Sequence, residues 1–127
     1  MGTRFYTAPE ILFDGPYSTP ADLWSVGCIF GEMIIGNPIF ETLYACQNEL
    51  EAIFRVLGTP TEATWPGVSR FIDYPKYGKY DTMNLPMIFE AVGPDGLDLL
   101  TRMLTLDPDT RISAEAALGH AYFNGLD

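Results

Sequence analysis

The apolar helical run between Thr19 and Ile35 constrains this chain more than any other feature. Leu23, Trp24, Val26, Ile29, Phe30, Met33, Ile34 and Ile35 spread around most of its circumference. A helix apolar on nearly every side is expected in the middle of a domain, enclosed by other elements. Its limits are legible too. Thr19 can cap the first turn, Pro20 suits the first helical position, and Asp22 stands in the capping-box place. Gly36 is the expected stop.

The remaining pattern is also helical. Leu50, Ile53, Phe54 and Leu57 form an amphipathic stripe, which predicts a helix over Asn48–Leu57 closed by Gly58. Thr59-Pro60-Thr61-Glu62 predicts a capping box and a short helix ending near Trp65-Pro66-Gly67. Residues 68–92 read as irregular, with Tyr74, Tyr77 and Tyr80 set among Pro75, Gly78 and Pro86. Leu97, Leu100, Met103 and Leu104 predict a helix over Asp95–Leu106. Ser113 is the expected cap of a last helix that runs through Leu118 to Gly119. No alternating strand pattern and no internal repeat is present. The expected fold class is mainly α.

Charge and cysteine content narrow the possible functions. The 127 residues hold 17 acidic and 7 basic side chains, a formal net charge of -10. Phosphate neutralisation needs clustered Lys and Arg, so nucleic acid is excluded as a partner, and an anionic membrane surface with it. The acidity is diffuse and reads as a solvated surface. Val26 to Ile35, the longest apolar stretch, is too short to span a bilayer. Met1 is followed by small and polar residues, so no signal peptide is expected. Cys28 and Cys46 have neither metal-ligand spacing nor the makings of a disulfide framework. Cys28 is expected as a small core residue. An intracellular location, cytoplasmic or nuclear, fits this thiol content. His120 is the only histidine, and no nucleophile or acid is placed for it to serve as a base.

Three landmarks occur in order: Gly2-Thr3-Arg4-Phe5-Tyr6-Thr7-Ala8-Pro9-Glu10, then Asp22-Leu23-Trp24-Ser25-Val26-Gly27, then Arg111 in Asp107-Pro108-Asp109-Thr110-Arg111-Ile112-Ser113. Together they resemble the back half of a eukaryotic Ser/Thr protein kinase domain, its helical large lobe from the end of the activation segment onward. Leu57-Gly58-Thr59-Pro60-Thr61-Glu62, Trp65-Pro66-Gly67-Val68, Gly27-Cys28-Ile29-Phe30-Gly31-Glu32-Met33 and Leu118-Gly119-His120-Ala121-Tyr122-Phe123 are similar to the cyclin-dependent kinase branch. The resemblance covers residues 1–127. It implies that 1–18 end the activation segment and form a peptide-groove wall, and that 19–127 form a helical subdomain.

The resemblance also implies roles. Glu10 and Arg111 are similar to the buried ion pair that ties the activation segment to the large lobe. Thr3 resembles the residue that hydrogen-bonds the catalytic aspartate. Arg4, Phe5, Tyr6 and Thr7 would line the groove for a protein substrate. Asp22 resembles the aspartate that accepts N–H bonds from the catalytic loop, and it serves equally as a cap of its own helix. Trp24 and Gly27 imply packing and close helix contact. Relatives of the branch carry Arg at the place of Thr7. That Arg satisfies a backbone carbonyl and leaves a pocket suited to proline, which has no N–H. Thr7 is too short to do so, and proline-directed selectivity is not carried over. Residues 41–49 depart from the usual Pro-Gly-Asp-Ser stretch, so docking of a small regulatory subunit is not carried over either. A cyclin-like regulator would rest mostly on surface outside this segment.

The 127 residues contain no Gly-rich phosphate loop, no Val-Ala-x-Lys, no His-Arg-Asp and no Asp-Phe-Gly. ATP and Mg²⁺ would be cofactors of a complete kinase, while this segment is expected to hold no catalytic residue, cofactor or metal and to be inactive alone. The alternative is a stand-alone helical module, derived from a kinase lobe, that binds a partner. Met1 also sits where an artificial start would.

Overall fold

The structure, a computed structural model, describes residues 5–41 and 48–124. Among them are six α-helices: α1 (Pro9–Leu12), α2 (Thr19–Ile35), α3 (Glu49–Leu57), α4 (Leu85–Ile88), α5 (Gly93–Met103) and α6 (Ala114–Leu118). Short 3₁₀ turns occupy Val68–Arg70, Tyr74–Lys76, Glu90–Val92 and Ala121–Phe123. There is no strand among the described residues, and the chain is a mainly α fold.

The helix α2 is the axis on which the other elements pack. It buries Ala21, Leu23, Trp24, Gly27, Cys28 and Gly31. The indole of Trp24 stacks on Phe40 with ring centroids 5.4 Å apart. Gly27 lets α5 approach so closely that a Cβ there would lie 2.8 Å from Met103 Cβ. On the far side of the core, Phe13 stacks on Phe71 at 4.5 Å and meets the edges of Trp65 and Tyr77. Leu50, Ile53 and Phe54 of α3 fill the space between. A second, smaller cluster joins Leu23, Leu99, Met103 and Ala117. Apolar burial of this kind is the main favourable term in the fold.

Several details differ from the sequence-based expectations. The helix α2 is not enclosed on all sides: Val26, Ile29 and Met33 are exposed, Met33 at 79%. With Asp22 they form one exposed stripe along α2, while Ser25, Phe30 and Glu32 beside it are partly buried. Ser18, not Thr19, is its N-cap residue, and no side chain makes a cap hydrogen bond there. Asp22 does not close a capping box; its carboxylate accepts a hydrogen bond from the Tyr17 hydroxyl. Gly36 does end α2, in the left-handed region at φ 87°. Thr59-Pro60-Thr61-Glu62 starts no helix. Instead Glu62 turns to the next loop and accepts from the Gly67 and Ser69 amides at 2.8 and 2.9 Å and from the Ser69 hydroxyl. The fifth helix stops at Met103 rather than Leu106, and the carbonyls of Thr105 and Leu106 accept from Arg111 instead. The short helices α1 and α4 were not foreseen. Asn48 and Ser113 cap α3 and α6, accepting from Glu51 N and Ala116 N.

Candidate functional site: a clasped segment against the central helix

The segment Phe5–Leu12 lies across α2, and a charged clasp fixes its far end. Pro9 begins α1, which places Glu10 in the first turn with its side chain inward. Arg111 sits after a tight turn in which Asp107 Oδ1 accepts from Asp109 N at 2.9 Å and the Asp107 carbonyl accepts from Arg111 N. The two residues are 101 positions apart. The guanidinium donates to both carboxylate oxygens of Glu10, at 3.0 and 2.9 Å. It also donates to the carbonyls of Pro20, Thr105 and Leu106 at 2.9, 2.8 and 3.0 Å. All its N–H groups are thereby used. Both side chains are buried, that of Arg111 completely. The guanidinium also lies 5.2 Å from the ring centroid of Trp24. A buried charge needs this complete pairing, because desolvation otherwise opposes it.

Closer to the amino end, Tyr6 is held at two points by α2. Its carbonyl accepts from the Ser25 hydroxyl at 2.8 Å, and its own hydroxyl donates to Glu32. The bond to Glu32 raises the Tyr6 hydroxyl above the ordinary tyrosine range, and burial adds to this. The Tyr17 hydroxyl is raised in the same way by its bond to Asp22. Tyr6, Thr7, Ala8, Tyr17, Asp22 and Ser25 border one shallow cavity. Phe5 and Thr7 are half-buried beside it. Thr3 and Arg4 lie outside the described residues, as does Cys46.

Other sequence-level candidates are placed elsewhere. Trp24 and Gly27 lie in the core, and the buried Trp24 Nε1 has no hydrogen-bond partner among the described residues. Burial pushes the Cys28 thiol up to about 12, which suits inert packing rather than nucleophilic chemistry. His120 Nε2 donates to Asp98 at 2.7 Å while its Nδ1 accepts from Tyr122 N at 2.9 Å. The His120 and Arg102 bonds hold the Asp98 carboxyl below the usual carboxylate range. This network joins the 3₁₀ turn Ala121–Phe123 to α5. No group of three or more His, Cys, Asp or Glu among the described residues could hold a metal ion.

Ser25 and Glu32 were not singled out in the sequence. The signal was present: an acidic residue inside the apolar run Phe30-Gly31-Glu32-Met33 needs a polar partner.

The segment Phe5–Leu12 is thus held to α2 through Tyr6 and, through the Glu10–Arg111 pair, to the turn between α5 and α6. The protein kinase domain family model matches residues 1–123, and the chain belongs to that family. It is a mainly α fragment of a kinase domain. Among similar proteins, cyclin-dependent kinase B1-1 of Arabidopsis thaliana is 48% identical over 126 residues, 98% of this chain and 40% of the relative. The cell division control protein 2 homolog C of Antirrhinum majus is also 48% identical, over 98% of this chain and 41% of its own length. A probable serine/threonine-protein kinase KIN28 homolog of Encephalitozoon cuniculi is 44% identical over 122 residues, 39% of its length. The chain is thus similar to cyclin-dependent kinases, and it spans about two fifths of the length of these relatives.

Proposed function

We propose that this chain is the large-lobe segment of a cyclin-dependent-kinase-like Ser/Thr protein kinase. The complete protein would transfer the γ-phosphoryl group of ATP to a protein hydroxyl with Mg²⁺ present. Residues 1–18 would supply the end of the activation segment and the groove wall, with Thr3, Arg4, Phe5, Tyr6 and Thr7 facing substrate. Residues 19–127 would supply the rigid base. The observation that carries this reading is the double hold of α2 on Tyr6, through Ser25 and Glu32. A peptide wall must be stiff to position a hydroxyl for in-line transfer, and a segment anchored at Tyr6 and again at Glu10 has little freedom.

The segment alone is expected to transfer no phosphoryl group, since it carries no phosphate cradle, metal site or base. The test compares the 127 residues with a longer product of the same reading frame that includes His-Arg-Asp and Asp-Phe-Gly motifs. Phosphoryl transfer to protein by the longer product, and none by the segment, supports the reading; transfer by the segment overturns it. A cyclin-like regulator is a partner only of that longer protein. Thr7 predicts a substrate preference not restricted to proline after the phosphoacceptor. In the longer protein, Thr7→Arg should raise the preference for such proline-containing peptides.

A second reading, a helical interaction module, is favoured by one observation. The exposed Val26, Ile29 and Met33 border a wholly apolar groove with Leu99, Met103 and Phe123. Exposed apolar patches of this kind mark contact surfaces.

A further inference from the structure

A cavity of about 220 Å³ opens between the end of α3, α4 and α5. Its apolar lining comes from Ile39, Val56, Leu57, Leu85, Phe89, Leu100, Leu104 and Leu106. Four threonines, Thr64, Thr82, Thr101 and Thr105, complete it. Their hydroxyls would ordinarily make the cavity polar. Each one instead donates to a backbone carbonyl: Thr64 to Thr61, Thr82 to Leu57, Thr101 to Asp98 and Thr105 to Thr101, at 3.3, 2.8, 3.0 and 3.1 Å. No charged side chain lines the cavity.

These facts determine what can bind. With its hydroxyl protons committed, the cavity offers no side-chain donor to a carboxylate or phosphate. An anion would be desolvated there without compensation, in a chain of net charge -10. A cation would find no carboxylate. A neutral hydrocarbon group meets none of these penalties. An engineered apolar cavity of about 150 Å³ already accepts benzene, and this one is larger.

We propose that this cavity is a binding site for the neutral hydrocarbon portion of a small molecule, a short alkyl chain or a simple aromatic ring. None of Phe5, Tyr6, Thr7, Glu10 and Arg111 lines the site, whereas Thr105 and Leu106 do line it and give their backbone carbonyls to Arg111. Residues of three helices border it, and an occupant stabilises their arrangement by binding the folded state alone.

The test uses the 127-residue chain with labelled Ile, Leu and Val methyl groups. Octan-1-ol and propylbenzene are titrated while methyl resonances are followed by NMR, with sodium octanoate as the anionic counterpart. Saturable shifts confined to Ile39, Val56, Leu57, Leu85, Leu100, Leu104 and Leu106 are expected with both neutral probes. Octanoate should bind at least about tenfold more weakly. Leu85→Phe, which fills the cavity from α4, should abolish the shifts. Should that variant fail to fold, Val56→Phe fills it from α3, and the wild-type titration stands without either. Absence of saturable shifts with the neutral probes overturns the proposal. So does octanoate binding as tightly as octanol, or shifts that persist in a folded, cavity-filled variant.

Discussion

At the residue scale, Arg111 has no conservative replacement. Its planar fork donates to five acceptor atoms on Glu10, Pro20, Thr105 and Leu106. A lysine ammonium has fewer donors and cannot span both carboxylate oxygens. Arg111→Ala strands the Glu10 carboxylate and should cost about 3–5 kcal/mol, read from urea unfolding followed by circular dichroism. Arg111→Lys should still cost about 1–3 kcal/mol, through carbonyls left unpaired. A loss below experimental error in both would show that the clasp is incidental to stability. Glu62 offers a pH readout of a different kind. Bonds from the Ser69 hydroxyl and the Gly67 and Ser69 amides lower its carboxyl to about 2. Its contribution is therefore fully present above the ordinary glutamate range, and it is lost as pH falls through about 2. The carbon-13 titration of Glu62 should show its midpoint near that value. The amide resonances of Gly67 and Ser69 should move with it. A midpoint at the ordinary glutamate value would mean the loop bonds do not persist in solution.

At the scale of elements, the two small residues on the inner face of α2 should behave differently. Alanine is favoured over glycine within a helix by about 1 kcal/mol. At Gly31 the added methyl meets Ile39, with Cδ1 at 2.1 Å and Cγ1 at 2.9 Å, so the whole side chain must turn aside. At Gly27 it meets Met103 Cβ, which is tied to the backbone of α5, and Leu104. Gly27→Ala should therefore destabilise by about 1–3 kcal/mol, while Gly31→Ala should cost less, because a side chain rather than a neighbouring helix has to move, both measurable by thermal unfolding. A neutral Gly27→Ala would show that α5 gives way to the added methyl. The legible and illegible parts of the fold divide along the same line. The helices α2, α3 and α5 were readable because apolar spacing reports a buried face directly. Asn48 and Ser113 work as caps because their short side chains reach an amide three residues on. Glu62 has the same spacing from Thr59, yet it bonds the Gly67–Ser69 loop, because Pro66-Gly67 brings those amides within its reach. Periodicity also overstated the burial of α2. It shows that a residue is apolar, not whether a neighbour is present to cover it. The Tyr6–Glu32 contact crosses 26 positions, and no local pattern encodes it. Glu10 and Arg111 were paired in the sequence only through a family resemblance, since two distant charges carry no spacing of their own.

At the scale of the whole molecule, the apolar face of α2 sets how the chain behaves in solution. Met33 is 79% exposed and makes little contribution to the core. Met33→Lys should leave the melting temperature within about 2 °C of the parent, since surface changes stay within about 0.5 kcal/mol. It should also reduce self-association in sedimentation measurements. A large fall in melting temperature would place Met33 inside the packed structure instead. The clasp has a consequence of another sort, in the order of synthesis. Glu10 emerges from the ribosome first, and its guanidinium partner is added 101 residues later. At translation speeds of about 5–20 residues per second, the carboxylate waits on the order of 5–20 s without a counterion from its own chain. During that interval Ser25 and Glu32 can already hold Tyr6, but the turn bearing Glu10 stays open to chaperones and proteases until the guanidinium arrives.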